Sequence, residues 1–197
     1  MSALQESLVE LIRRTSAEIP EDVHEAIVRS LEEEKKGTIA ESAMKIIERN
    51  IGLAKQKSQP ICQDTGSILF YVDCPVGFDQ ITFEETTHEA VKLATKKGFL
   101  RQNSVDSLTG KNDGTNVGPG SPTVHFHQHR APEIRVRLIL KGGGCAPTTS
   151  VRSSTVTVSS SRLALRKTSV CPGSSTKYGV RPDVAKVHCV NGNVFVN

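Results

Sequence analysis

Cys62, Gln63 and Asp64 follow one another in the segment Ser58-Gln59-Pro60-Ile61-Cys62-Gln63-Asp64-Thr65-Gly66, whose Pro, Gly and polar residues read as a loop. A cysteine on such a loop can approach a cofactor. The Gln63 amide offers donors and an acceptor, and the Asp64 carboxyl offers a group for proton transfer. Alone, the same residues also read as an Asp-Thr-Gly turn entering a strand beside an incidental cysteine. Arg101 opens a long loop just after a helical pattern ends. A guanidinium there can clamp a carboxylate through two N–H groups, or simply be solvated. Lys141-Gly142-Gly143-Gly144 follows a strand pattern. Three glycines let the backbone come close to a ligand and turn N–H groups toward an anion, or they make a plain flexible turn. The Gly-Lys-Ser/Thr ending of a phosphate-binding loop is absent. His125, His127 and His129 alternate and so share one face of a strand. Such a row can bind zinc or merely line a polar face, and a fourth ligand with suitable spacing is not apparent.

These residues need elements to position them. Leu4, Leu8, Val9 and Ile12 fall at helical spacing over residues 3–18. A second stripe, Val23, Ile27, Val28 and Leu31, begins after Pro20 and runs to Lys35, before Gly37. A third, Ile39, Ala43, Ile46, Ile47 and Ile51, covers 39–55. All three stripes are expected to face a core. A strand is expected over 67–72, then a turn at Asp73-Cys74-Pro75-Val76-Gly77. Thr82-Phe83-Glu84-Glu85 resembles a capping box that opens a helix to Lys97. The loop from Arg101 to Pro122 is long enough to be functional or disordered. Strands are expected over 123–128 and 133–140, where Arg135 and Arg137 alternate with Ile134, Val136 and Leu138, so one face is buried. The expected fold class is mixed α and β (α+β): amino-terminal helices, then a small β-sheet, then a low-order carboxy-terminal tail.

Composition narrows the function. Hydrophobic residues make up 37% and charged residues 23%, enough for a packed core in the first part of the chain. With no Trp and 4% aromatic residues, stacking on nucleic-acid bases has little to work with. No apolar run approaches the length of a membrane span, and the first residues lack a basic patch followed by an apolar run, so a cytoplasmic location is expected. Five widely spaced cysteines suit ligand or free-thiol roles better than a disulfide framework.

Four segments taken together resemble the class I, iron–sulfur-dependent fumarases and the alpha subunits of the related two-subunit fumarases and L-tartrate dehydratases. They are Pro60-Ile61-Cys62-Gln63-Asp64-Thr65-Gly66, Leu100-Arg101-Gln102-Asn103-Ser104-Val105, Leu108-Thr109-Gly110-Lys111-Asn112 and Lys141-Gly142-Gly143-Gly144. They come in the family's order and at similar intervals, across residues 1–145. The resemblance implies a hydro-lyase acting on a small dicarboxylate: fumarate and malate, or tartrate. It implies a 4Fe-4S cluster held by three cysteines, whose open iron acts as a Lewis acid. It also implies an oligomer and either a beta subunit or a carboxy-terminal fumarase domain. Carried over by position, Cys62 matches the first cluster ligand. Gln63 and Asp64 match substrate-contacting residues, with Asp64 a proton-transfer group. Arg101 matches a carboxylate-binding arginine, and Gly143 and Gly144 match the glycine loop near the substrate.

The resemblance stops near Cys145, and so does the composition. Residues 146–197 hold 15 Ser/Thr and 10 Val with no Glu or Ile, whereas the first 145 residues hold 14 Glu and 12 Ile. The net charge is −2 before this boundary and +6 after it. Residues 1–145 are therefore taken as the hydro-lyase amino-terminal region and 146–197 as an anomalous tail, the expected product of a reading-frame shift. Cys171-Pro172-Gly173 resembles the family's second ligand motif only superficially, because no apolar strand pattern follows it. A non-catalytic remnant of such a subunit, and a zinc module built on the His-x-His-x-His strand, are the alternatives.

Overall fold

The computed structural model describes residues 2–62, 65–106, 108–141, 152–159, 162–164, 187–190 and 193–196, the last four segments by their backbone. The order of elements is α1 (Ala3–Ala17), α2 (Glu21–Glu33), α3 (Ile39–Lys57), β1 (Ser67–Pro75), α4 (Gln80–Lys96), β2 (Thr123–His129), β3 (Ile134–Lys141), β4 (Arg152–Ser159), β5 (Arg162–Ala164), β6 (Val187–Val190) and β7 (Asn193–Val196). This is a mixed α and β fold, with helices first and a small mixed sheet after them.

The sheet has the order β2-β1-β3-β4-β5, and β6 and β7 form a separate antiparallel pair. β1 runs parallel to β2 and antiparallel to β3. The parallel pair needs a crossover, and α4 supplies it. Along β1, Ile68, Phe70, Val72 and Cys74 are buried while their neighbours are exposed or half-buried. Val136, Leu138 and Leu140 continue that face on β3, as the alternation of the sequence requires. Leu8, Leu11 and Ile12 of α1 and Phe83, Ala90, Val91 and Ala94 of α4 complete the same core. Burying such side chains contributes roughly 1.5–3 kcal/mol each before the entropy of ordering is counted.

Three expectations need correction. β1 continues through Asp73 and Cys74 to Pro75, where a turn was expected, because Cys74 extends the alternation and is fully buried. α4 begins earlier than the expected capping box: Asp79 is the N-cap, its carboxylate accepting the Thr82 backbone N–H at 3.0 Å and the Thr82 hydroxyl at 2.7 Å. The second and third helical stripes are largely not core. α2 has no buried residue, and of α3 only Ile51 and Ala54 are buried, while Ile39 is 90% and Ile46 70% exposed. The two helices pack on each other, and among the described residues nothing covers their outer faces. In the expected low-order tail, four short strands are described, and β4 and β5 extend the main sheet; the rest of the tail lies outside the described residues.

Candidate active site

The Cys62 loop is fixed from both sides before it reaches the cysteine. The Ile61 N–H donates to the Ser16 carbonyl at 3.0 Å, at the end of α1, and the Asn50 side-chain amide of α3 donates to the Ile61 carbonyl at 2.9 Å. Cys62 then stands exposed. Gln63 and Asp64 lie outside the described residues. Thr65, just beyond them, is buried, and its hydroxyl accepts the Arg101 N–H at 2.7 Å. Gly66, at φ +67°, turns the chain into β1.

Arg101 reaches this place through the end of α4. Gly98 N–H donates to Thr95 O at 3.0 Å and Phe99 N–H to Ala94 O at 2.9 Å, the paired bonds of a glycine-ended helix terminus, with Gly98 at φ +78°. Leu100 turns into the core, and Arg101 is left exposed. The loop after it is ordered by its own polar side chains. Asp106 accepts the N–H groups of Leu108 and Thr109 at 3.1 and 2.6 Å, and these bonds, Thr109 first, hold its carboxyl below the usual aspartate range. Asn112 donates to Gln102 O at 2.7 Å. Asn116 is fully buried at φ +59° and bonds to Arg101, Asn103 and Ser104.

The third segment arrives by strand register. Ser67, first residue of β1, pairs with Lys141, last of β3. Lys141, at the head of the glycine run, therefore emerges beside the end of the Cys62 loop. Gly142, Gly143 and Gly144 lie outside the described residues. The fold thus gathers the Cys62 loop, Arg101 and the Lys141 end at one end of the sheet. Thr65 and Asn116 were not singled out from the sequence. Thr65 had the signal of following Asp64 directly; Asn116 had none that set it apart from the other polar residues of its loop.

Other candidates fall elsewhere. Cys74 is sealed in the core, and burial, with the neighbouring Asp73 charge, pushes its thiol pKa up, so it is a poor thiolate. The three histidines share the polar face of β2. His125 stacks on Tyr71 with centroids 4.8 Å apart, and the His129 Nδ1 accepts the Ala131 N–H at 3.0 Å. Among the described residues no group of three or more His, Cys, Asp or Glu is arranged to hold a metal ion, which leaves the zinc reading without geometric support. A cleft of about 460 Å³, lined by Asp73, His127, His129, Glu133 and Arg135, opens at the opposite end of the sheet from Ser67 and Lys141. Among the described residues no helix is long and apolar enough to cross a membrane.

The model of the family described as Fumarate hydratase (Fumerase) matches residues 5–168. The chain belongs to this fumarate hydratase family. A Geobacillus stearothermophilus protein provisionally named fumarate hydratase class I is 48% identical over 145 residues, covering 74% of this chain and 28% of that protein. A Methanocaldococcus jannaschii protein provisionally named L(+)-tartrate dehydratase subunit alpha is 32% identical over 146 residues, 72% of this chain and 51% of its own length. The L(+)-tartrate dehydratase subunit alpha of Escherichia coli (strain K12) is 26% identical over 147 residues, 74% and 48% of the two chains. The chain thus spans between about a quarter and a half of these relatives. For an iron–sulfur cofactor of the fumarase type, exposed Cys62 has the right donor chemistry. One thiolate does not hold a cluster, and Cys74, the other cysteine whose side chain is described in this fumarase-family chain, is sealed in the core.

Proposed function

We propose that this chain is the amino-terminal portion of an iron–sulfur hydro-lyase that removes water from, or adds it to, a small dicarboxylate: malate and fumarate, or tartrate in the dehydrating direction. What supports the reading is the convergence of three segments, distant in sequence, at one end of the sheet. They are the Cys62 loop, Arg101, tied to that loop through Thr65, and Lys141 beside Ser67. In this reading Arg101 binds a substrate carboxylate through two N–H···O bonds. Gln63 orients the same substrate. Gly143 and Gly144 are the proposed partners of its second carboxylate, through their backbone N–H groups. Asp64 takes the proton from the carbon next to the hydroxyl-bearing carbon, the C–O bond breaks, and water and the unsaturated acid are the products. A 4Fe-4S cluster, with Cys62 as one ligand, supplies the Lewis acid for the departing hydroxide.

The remaining ligands and the rest of the enzyme come from outside the described residues. The part of an alpha chain that this sequence does not cover, about half of the alpha-subunit relatives, is the proposed source of the ligands; a beta subunit or a carboxy-terminal fumarase domain is the proposed partner that completes the enzyme. The assembly is an oligomer in the cytoplasm. Within the chain, residues 1–145 are the proposed hydro-lyase region and 146–197 a tail produced by a frame shift, a boundary against which the family match running to residue 168 counts. Sequencing the gene across the codons for 141–150 tests that boundary; an uninterrupted native frame encoding this tail sinks it.

The test of the main reading is anaerobic reconstitution of the full chain with iron and sulfide, together with the uncovered alpha-chain half and a beta chain of the alpha-subunit relatives' type. Cluster absorbance and malate dehydration are the expected result. Cys62→Ser should lower the cluster content, and Arg101→Ala should abolish turnover while keeping the cluster. Unchanged cluster and turnover in both variants sink the proposal. The short span of the relatives covered favours a second reading, a non-catalytic remnant, which predicts colourless protein and no turnover even with the partner present.

A further inference from the structure

Both polar groups of the Arg101 peptide are held by buried side chains from elsewhere in the chain. The N–H donates to the Thr65 hydroxyl at 2.7 Å, and the C=O accepts from the Asn116 amide at 2.7 Å. The Asn116 side-chain amide is bonded at every site it offers. Its second N–H goes to the Thr95 hydroxyl of α4 at 3.1 Å, and its Oδ1 accepts the N–H groups of Asn103 at 3.0 Å and Ser104 at 3.1 Å. Thr65 is 3% and Asn116 1% exposed. Asn116 also holds a left-handed backbone at φ +59°, a region that Asn enters more readily than most residues. Two buried polar side chains therefore converge on the backbone of a residue whose own side chain is exposed and adds little to the core. A fold that needed only a closed loop would not have to tie this peptide to the residue that follows Gln63-Asp64.

We propose that Thr65 and Asn116 are positioning residues that aim the Arg101 guanidinium at a substrate carboxylate beside the Cys62 loop. The proposal rests on Arg101 being the carboxylate binder. The clamp fixes the direction of the Arg101 Cα–Cβ bond from both flanking peptides, and Thr65 sets that direction relative to the entry of β1. Carboxylate binding by a guanidinium fork depends on angle as well as distance, so a loosened backbone weakens it without removing a single contact atom. Thr65→Ser keeps the accepting hydroxyl; Thr65→Ala and Asn116→Ala do not.

The test uses the full chain and two readouts by nuclear magnetic resonance. One is amide hydrogen exchange at Arg101, Asn103 and Ser104. The other is titration with L-malate, followed at the Arg101 Nε–H resonance. Thr65→Ala and Asn116→Ala should each speed exchange at the amides they hold and weaken malate on the order of tenfold. Thr65→Ser should restore both. If Asn116→Ala does not fold, the Thr65 pair decides alone. Malate binding in the wild type that both alanine variants retain in full overturns the positioning role and leaves Arg101 as the binder. Wild-type protein that ignores malate removes Arg101 as the binder; exchange then decides the clamp, and unchanged protection in the variants overturns it.

Discussion

Lys141 faces Ser67 across the antiparallel β1–β3 ladder, so the chain leaves the sheet toward its glycine run where it entered the sheet from the Cys62 loop. That proximity depends on the register of the ladder. The register is set by the buried pairs Phe70–Leu138 and Val72–Val136, since a slip of one residue would turn these side chains to the polar face. Phe70 is the largest side chain in the buried row and is fully enclosed. Phe70→Ala should cost about 3–5 kcal/mol, and Phe70→Leu much less. Urea unfolding checks this; a loss below about 1 kcal/mol for the alanine variant would mean that β1 does not anchor the site.

A second prediction concerns pH. Glu10 of α1 accepts a two-pronged bond from Arg13, 2.7 Å from Nε to Oε2 and 2.7 Å from Nη2 to Oε1, and another from Arg14 Nε at 2.7 Å. The Arg13 bond first, then Arg14, hold the Glu10 carboxyl below its ordinary value of 4.5, against partial burial. A carboxyl depressed in the folded state contributes stability above its unfolded pKa and loses it as pH falls through the folded one. The contribution should be full above pH 4.5 and fade below it. Because the group is part-exposed and screened, about 0.5–1 kcal/mol is expected. Thermal melts of wild type and Glu10→Gln should converge as the pH is lowered past that point. A constant gap across that range argues against the Glu10 charge as the cause.

The sequence showed which residues share a face, but not whether anything covers that face. On β1 and β3 the alternation was enough, because α1 and α4 lie over the buried side and every other residue reports it. On α3 the same reasoning read Ile39, Ile46 and Ile51 as one core stripe, yet of these only Ile51 is buried. The site divides in the same way. Cys62 and Arg101 were readable as candidates from residue type and motif, because the chemistry proposed for them would be carried by an exposed side chain. Asn116 was not, because its work is done on the backbone of residues 12 to 15 positions away, and no local spacing encodes that.

The α3 contrast gives a third prediction, with the residue type held constant. Ile51 is 7% exposed and Ile46 70%. Ile51→Ala should cost about 2–4 kcal/mol through the cavity it leaves. Ile46→Ala should fall within about 0.5 kcal/mol of wild type, since it removes no buried contact. Equal losses at the two positions would show that the outer face of α3 is covered in solution.

The last prediction separates two thiols by burial. Cys62 is exposed on its loop, whereas Cys74 is buried in the core, with its pKa raised first by burial and then by Asp73. Alkylation needs a thiolate that the reagent can reach. Under native conditions and mildly alkaline pH, iodoacetamide should modify Cys62 in the folded chain, while Cys74 should react only when the core opens. Its labelling rate should therefore follow global unfolding and rise with urea in step with it. Peptide mass spectrometry over time distinguishes the two sites. Prompt labelling of Cys74 in native buffer would contradict the β1 placement. Protection of Cys62 in the cluster-free chain would mean that another part of the molecule covers the loop on which the proposed chemistry depends.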